Sequence, residues 1–504
     1  TLVGLDLPPA GRNIEIKPYT IASVTTDRVR TPPVSGDPDG AVGVDLKYGV
    51  TANLTADVTV NTDFAQVEAD EQQVNLTRFS LVLPEKRDFF LEGRGVFDFA
   101  RWAGSGSATT STTPSLFYSR RIGLNAGRIV PIRVGGRLTG KAGRYGIGLM
   151  NIQTGEETTS KTPDTNFTVL RVKRDILRRS SIGAIFTNRS RSATSTGANQ
   201  AGGVDASINL YENVSFNAYY AKTATDGQHG DDASYQGRFE YGGDRYGARA
   251  EYLVVGDHFN PEVGFVRRDN FARSFGSLRF SPRPRKSRRV RKYTWEGTLE
   301  YLENGSGAPE TRNQAGRFNV EFQNSDQFTA AVSNEYELLL RPFAIARGVT
   351  IPTGGYEFAD ASVSYLLGQQ RRVSGQFSYQ QGRFYDGTLK AFGYSGARVS
   401  VVTRLSVEPS VSVNRVDLRE GRFTTTVLRA RSDYGFSPLM FASALVQYSS
   451  SDATFSTNLR FRWEYSPGSE LFVVYTDEHD TLPPGAPVLR NRALVVKVNR
   501  LLRF

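Results

Sequence analysis

Three histidines, His229, His258 and His479, each stand beside carboxylates in polar, loop-like stretches of the chain. An imidazole held by a carboxylate serves as a general base once a serine hydroxyl is within its reach. No serine is set apart for that task by motif or spacing, so the histidines read first as solvated loop residues, with a hydrolase at the rim of a larger structure as the lesser alternative. Two acidic clusters, Asp226/Asp231/Asp232 and Asp477/Glu478/Asp480, offer hard oxygen ligands of the kind Ca²⁺ takes, without the spacing of an EF-hand loop. No phosphate-binding loop or zinc signature occurs. The chain has no cysteine, which excludes disulfide staples and thiolate metal sites. No catalytic, cofactor or metal residue is therefore assigned, and Ca²⁺ in the acidic loops is the one ion with any support.

Arginine is the other reactive type in abundance. Lys and Arg total 62 against 51 Asp and Glu, a formal net charge of +11. Seven of them fall within the ten positions Arg283 to Lys292, while elsewhere arginine recurs singly between apolar residues. A duplex-binding surface needs a continuous basic patch, so nucleic acid is not expected as a partner. The dense run suits anionic head groups, peptidoglycan or a periplasmic partner, and equally a charged turn that keeps a hairpin end in water.

The elements that must carry these residues show themselves through alternation. Val214, Phe216, Ala218 and Tyr220 interleave with Ser215, Asn217 and Tyr219, and Phe455, Thr457, Leu459, Phe461, Trp463 and Tyr465 with Ser456, Asn458, Arg460, Arg462 and Glu464. Such period-two runs of 8 to 13 residues recur along the 504-residue chain, each about the ~9–11 residues with which a tilted strand crosses a bilayer. With 49 Gly, 23 Tyr and 31 Phe, the composition suits strands and turns better than long helices. Mean hydropathy is −0.38, and no run approaches the ~18 apolar residues of a membrane helix. Short turns near 49–52, 140–144, 175–180, 211–213, 242–245, 324–327, 367–371, 402–405, 437–440 and 466–469 alternate with longer polar loops at 152–164, 188–202, 222–233, 256–270, 303–313, 339–355 and 478–488. That asymmetry belongs to outer-membrane barrels. A soluble propeller would need four strands in each ~40 residues, and 40 residues here hold about two.

The expectation is an all-β, up-and-down antiparallel transmembrane barrel filling 1–504, with about 24 strands (22 to 26): three before residue 62 and 21 after residue 130. With Phe504 on the periplasmic side, every short turn falls on that side too. Leu494, Val496, Val498, Leu502 and Phe504 share one face, interrupted by Arg500. An aromatic terminus after alternating apolar residues, with Val498, Leu502 and Phe504 as its core, reads as the signal by which a barrel-assembly machinery takes up its client. The lipid bilayer and lipopolysaccharide are the implied surroundings.

Residues 62–130 break the rhythm. They are rich in aromatics and paired charges, which argues for an ordered insertion: either a luminal plug or a cap over the extracellular mouth. As a plug it would set Asp63, Glu68, Asp70, Glu85, Arg87 and Glu92 against wall arginines such as Arg238, Arg249, Arg429, Arg431, Arg460 and Arg462, because luminal arginines offset the desolvation of the carboxylates. Removing 66–112 is then expected to leave the barrel folded and raise its conductance severalfold, and Glu85→Lys to loosen the segment by opposing like charges.

VNTDFAQVEADEQQVNLTRFSLVLPEKRDFFLEG (60–93), FYSRRIG (117–123), FNPEVGFVRRD (259–269), GRFYDGT (382–388) and SPGSELFVVYTDEHD (466–480) together resemble the barrel domain of a family of uncharacterised bacterial outer-membrane proteins. Members typically carry an N-terminal domain resembling family-9 carbohydrate-binding modules. Nothing in this sequence resembles that module, so no sugar-binding role follows. The resemblance implies a place and a fold, not an activity. Three readings stay open: a pore or translocation channel partly filled by 62–130, a surface scaffold anchored by the barrel, and a rim hydrolase.

Overall fold

A computed structural model describes residues 13–62, 69–100, 112–125, 127–483 and 485–504. It is a closed antiparallel β-barrel whose wall is crossed 24 times. Three strands precede the insertion, Ile14–Asp27, Val34–Thr51 and Leu54–Thr62, and twenty-one follow it, from Ile132–Ala142 to Val488–Asn499. Each pairs with its sequence neighbour. Closure comes from the first strand, which pairs with the second on one side (Thr20 opposite Val42) and with the last on the other (Thr20 opposite Val498). The ladder passes straight over the insertion, with Val60 opposite Val134. It also passes over a small rim hairpin, Phe343–Ala346 with Val349–Ile351.

Side chains alternate across this wall in the inverse of a water-soluble protein. In Val214–Thr225, Asn217, Tyr219, Ala221 and Thr223 are buried and face inward, while Phe216, Ala218 and Tyr220 face out. Val42, Leu46, Val58, Leu149, Leu170, Tyr252, Leu278, Leu299, Val332, Val363, Leu428 and Leu459 continue the exposed apolar face around the sheet. An apolar exterior on a sheet closed on itself, which leaves no open edge, is the form a β-protein takes in a bilayer.

Near the short turns, outward rings form a belt. Tyr246 and Phe280 lie 5.4 Å apart between centroids, Phe280 and Trp295 5.9 Å, Trp295 and Phe318 5.1 Å. Trp463 and Tyr465 sit 6.1 Å apart at the same level of another hairpin. Such girdles mark the membrane–water interface. Trp295 and Trp463 are both more than 40% exposed on this face. Lipids brominated near the head group should therefore quench much of the refolded barrel's fluorescence, and the double Trp295→Phe/Trp463→Phe variant should lose that sensitivity. Unquenched emission from the parent would place the belt outside lipid.

Two expectations need correction. Several strands exceed the expected 8 to 13 residues: Val34–Thr51 has 18, Gly421–Ser437 17 and Gly387–Val402 16. Side-chain alternation ends where the hydrocarbon ends, but backbone pairing does not depend on it and continues into water. For the same reason the loop expected at 303–313 shrinks to 305–308, between Val290–Asn304 and Pro309–Phe322. The connections at 385–386, 419–420 and 450–453 are also short, so the long-loop rim is confined largely to the first two-thirds of the chain. At the other rim most connections hold two to five residues, and 281–289 stands out as the long one.

At the C-terminus, Leu494, Val496 and Val498 do lie on one outward face, with Val498 43% exposed. The strand leaves the ladder at Arg500-Leu501 and resumes as Leu502–Arg503 against Glu15 and Ile16. The Phe504 N–H then donates to the Ile14 carbonyl at 3.0 Å.

Candidate functional site: the folded segment and the inward wall

The described part of 62–130 packs against inward-facing side chains, and its regular structure is confined to the helical turn Asp88–Leu91, the tighter turns Arg94–Val96 and Ser119–Arg121, and the short pair Leu124–Asn125 with Arg128–Ile129. Its interior is organised by one ion pair. Glu85 and Arg87 are both buried, joined through Nε (2.8 Å) and Nη2 (2.6 Å). Glu85 also accepts from the Ser119 hydroxyl and from the Lys86 and Arg87 amides. Arg87 donates to the carbonyls of Ile122 (2.7 Å) and Ser119 (2.8 Å), tying the early and late parts of the segment together. Burial alone would raise the Glu85 carboxyl. The hydrogen bonds and charge of Arg87, with Ser119, outweigh it and hold the group below its ordinary range. Asp70 pairs with Arg120 in the same internal manner.

The segment meets the wall in three ways. The first is apolar and lies mostly on one side, with Leu76 on a second cluster around Leu339 and Leu418. Phe90, Phe97, Phe99, Leu116 and Ile122 form one buried cluster with inward residues of strands between 132 and 304, among them Ile132, Met150, Ile152, Val169, Leu253 and Leu302. The second is electrostatic, at the same side. Glu92 pairs with Lys47 and Arg137, and Arg137 reaches Asp57 at 2.7 Å while donating to the Phe89 and Glu92 carbonyls. Further along, Arg78 contacts Glu310 (2.6 Å) and Glu337 (2.8 Å), and Phe79 lies under the guanidinium groups of Arg267 and Arg268. The third is polar and opposite. Glu71 pairs with Arg429 and Arg431, and Gln72 bonds Gln447 and Thr454, each at 2.9 Å.

The sequence-derived residues distribute unevenly over these contacts. Glu92 meets the wall through Lys47 and Arg137, neither of them among the arginines singled out in the sequence. Glu85 does not meet a wall arginine: its partner is Arg87, two residues along, because a buried carboxylate is best satisfied by a fork already ordered beside it. Asp63 and Glu68 lie outside the described residues. Arg429 and Arg431 face the segment, but through Glu71. Arg238 and Arg249 pair within the wall, with Glu240 and Glu251. Arg462 pairs with Glu470, and both Arg460 and Arg462 lie 5.6 Å from the Phe441 ring. Sequence reasoning missed the reverse pairing, Arg78 of the segment with wall glutamates, and the apolar inward patch. The run Val82-Leu83 and Phe89-Phe90 was the available signal for the latter.

Between the segment and the arginine-bearing wall runs a cavity of about 660 Å³, bordered by Lys86, Leu91, Arg431, Phe441, Arg460 and Arg462. On the loop rim, His258 Nδ1 lies 2.6 Å from Asp257, and His479 Nδ1 4.0 Å from Asp477. Among the described residues neither imidazole is joined to a hydroxyl, and no three His, Asp or Glu side chains are grouped to hold a metal ion.

Residues 13–132 match the model of a domain of unknown function, DUF5916. No curated protein matches the chain in sequence. Among solved structures it is similar to the siderophore receptor PirA from Acinetobacter baumannii, at 6% identity and TM-score 0.46, over 98% of this chain and 81% of that one. It is also similar to OpdQ of Pseudomonas aeruginosa, at 6% identity and TM-score 0.30 over 98% of both chains, and to OccAB3 of A. baumannii, at 11% and 0.31 over 98% and 99%. Similarities this loose carry no information about what passes through or binds to the barrel.

Proposed function

We propose that the protein is an outer-membrane channel, its chain ends and short turns periplasmic, its lumen narrowed by segment 62–130 to a passage along the Arg431/Arg460/Arg462 wall. The supporting observation is the unequal attachment. Among the described residues the large apolar contact of the segment lies toward the strands between 132 and 304, with Leu76 on a second cluster around Leu339, Tyr385 and Leu418, whereas Glu71 and Gln72 meet Arg429, Arg431, Gln447 and Thr454 through polar contacts, beside a cavity. Polar contacts at a wet interface exchange with water at small net cost, so solute can pass on that side without opening the apolar one. Arginines lining a constriction favour anions, moderated here by Glu71 and Glu470. Two further roles stay with this reading: the outward apolar C-terminal strand as the feature taken up by the assembly machinery, and lipopolysaccharide against the loop-side half of the exterior.

Planar-bilayer recording tests the reading. The parent should show a small conductance with modest anion preference, and Arg460→Glu/Arg462→Glu should move the reversal potential toward cation preference by a few millivolts or more in a tenfold salt gradient. A folded barrel that passes no current in either form would instead be a surface scaffold. That second reading is favoured by the size of the apolar cluster fixing the segment.

A further inference from the structure

The outward face carries a groove of about 910 Å³ near the short-turn rim. Phe280, Trp295 and Phe318 wall it, and Gly297, Gly316 and Ala330 form its bed. The dent is real space. A Cβ added at Gly297 would meet nothing within 4 Å, and one at Gly316 only Val332 at 3.7 Å. Apolar space facing hydrocarbon does not stay empty, since an unfilled void forfeits dispersion contacts along its whole lining.

At the rim end of this groove the protein is strongly cationic. Arg245 lies 5.6 Å from the Tyr246 ring and 5.4 Å from Phe280, both of which line the groove. The long connection 281–289 projects from the strand that ends at Phe280. Within it Arg283 is paired with Asp244, and just beyond it Arg291 is paired with Glu321. Arg285, Lys286, Arg288 and Arg289 form no ion pair among the described residues. An apolar slot in the lipid-facing wall thus ends, at the level of the interfacial ring belt, in a set of cations.

We propose that this groove binds an anionic phospholipid, an acyl chain lying over Gly297 and Gly316 and the phosphate held by Arg245 and the 281–289 turn. A water-soluble protein or glycan partner has no means of entering the hydrocarbon layer where the groove lies, the apolar wall of another membrane protein offers the cations no anion, and a zwitterionic lipid leaves them uncompensated. The choice of phospholipid over lipid A rests on the short-turn rim being periplasmic, as proposed above.

Native mass spectrometry of the detergent-purified full chain, titrated with palmitoyl-oleoyl phosphatidylglycerol, the matching phosphatidylethanolamine, or lipid A, tests this. Phosphatidylglycerol should be retained about tenfold better than phosphatidylethanolamine, a preference that Arg245→Glu/Arg285→Glu/Arg288→Glu should erase, at about fivefold per cation near the surface. Gly297→Leu/Gly316→Leu, which fills the bed from outside the ladder, should lower retention of both phospholipids with heat-modifiable migration unchanged. Equal retention of the two phospholipids by the parent would overturn the proposal. So would full phosphatidylglycerol retention by the glycine variant, which would leave only a charged patch. Preferential lipid A retention would overturn both the phospholipid and the orientation, while leaving conductance, and so the channel reading, untouched.

Discussion

Lysine at position 85 will release the inserted segment from within while the barrel stays closed. Glu85 is the shared acceptor for Arg87, Ser119 and two amides, with its side chain only 3% exposed. Removing one partner of a buried, hydrogen-bonded pair costs about 3–5 kcal/mol, and a second cation in that space costs more. The wall ladder contains neither residue, so heat-modifiable migration should be retained while the segment becomes open to protease added to the folded protein. Conductance should rise with it. The mechanism is internal collapse, not repulsion from wall arginines, so Arg429→Gln/Arg431→Gln should not rescue the variant. Rescue by that pair would restore the opposing-charge explanation. The same carboxyl sets a pH dependence. Its value in the folded protein lies below the ordinary 4.5, so its contribution is fully present above the ordinary value and is lost as pH falls through the lower, folded one. Parent conductance should therefore increase in acid below about pH 4.5, and the Glu85→Gln variant should not show that increase.

Deleting 66–112 will be far more damaging than the sequence alone suggests. The wall behind the segment is apolar: Met150, Ile152, Val169, Leu253 and Leu302 are at most 2% exposed, covered in part by Phe90, Phe97 and Phe99. Uncovering several such side chains forfeits about 1.5–3 kcal/mol each, so on the order of 10 kcal/mol in all. The expected result is a sharp fall in refolding yield, followed by the severalfold rise in conductance only among molecules that do fold. Polar replacements on the bared wall, such as Ile152→Thr with Val169→Thr and Leu302→Gln, should restore yield in the deletion while harming the parent. A deletion that refolds as well as the parent would show the apolar patch to be dispensable.

The barrel was legible because its signal is repeated. Alternation such as Val214, Phe216, Ala218, Tyr220 recurs two dozen times, and each instance reinforces the others, so the three-plus-twenty-one count survives boundary errors of several residues. The segment has no such redundancy. That Glu71 rather than Glu85 faces Arg429, or that Arg78 reaches Glu310 and Glu337, depends on how an irregular chain folds across a distance, and no period encodes it. The inward apolar patch was obscured for a related reason. Strands such as Tyr145–Thr154 and Asn166–Asp175 carry apolar residues on both faces over part of their length, which reads as weak alternation when it records a second buried surface.

That patch also bears on the order in which the molecule can be assembled. The segment's main apolar partners begin at Ile132, immediately after it in the chain, and end at Leu302, while Leu76 packs on a later cluster around Leu339 and Leu418. The strands it touches only through polar groups, around Arg429, Gln447 and Thr454, emerge much later. The seam between the first strand and Val488–Asn499 can form only last. An insertion placed this way can be seated on an open, half-built sheet, with the later strands wrapping over its hydrated side, and never needs to be threaded into a finished ring. Time-resolved proteolysis during refolding should then protect the segment before the seam, and protection in the opposite order would show that it enters a barrel already shut.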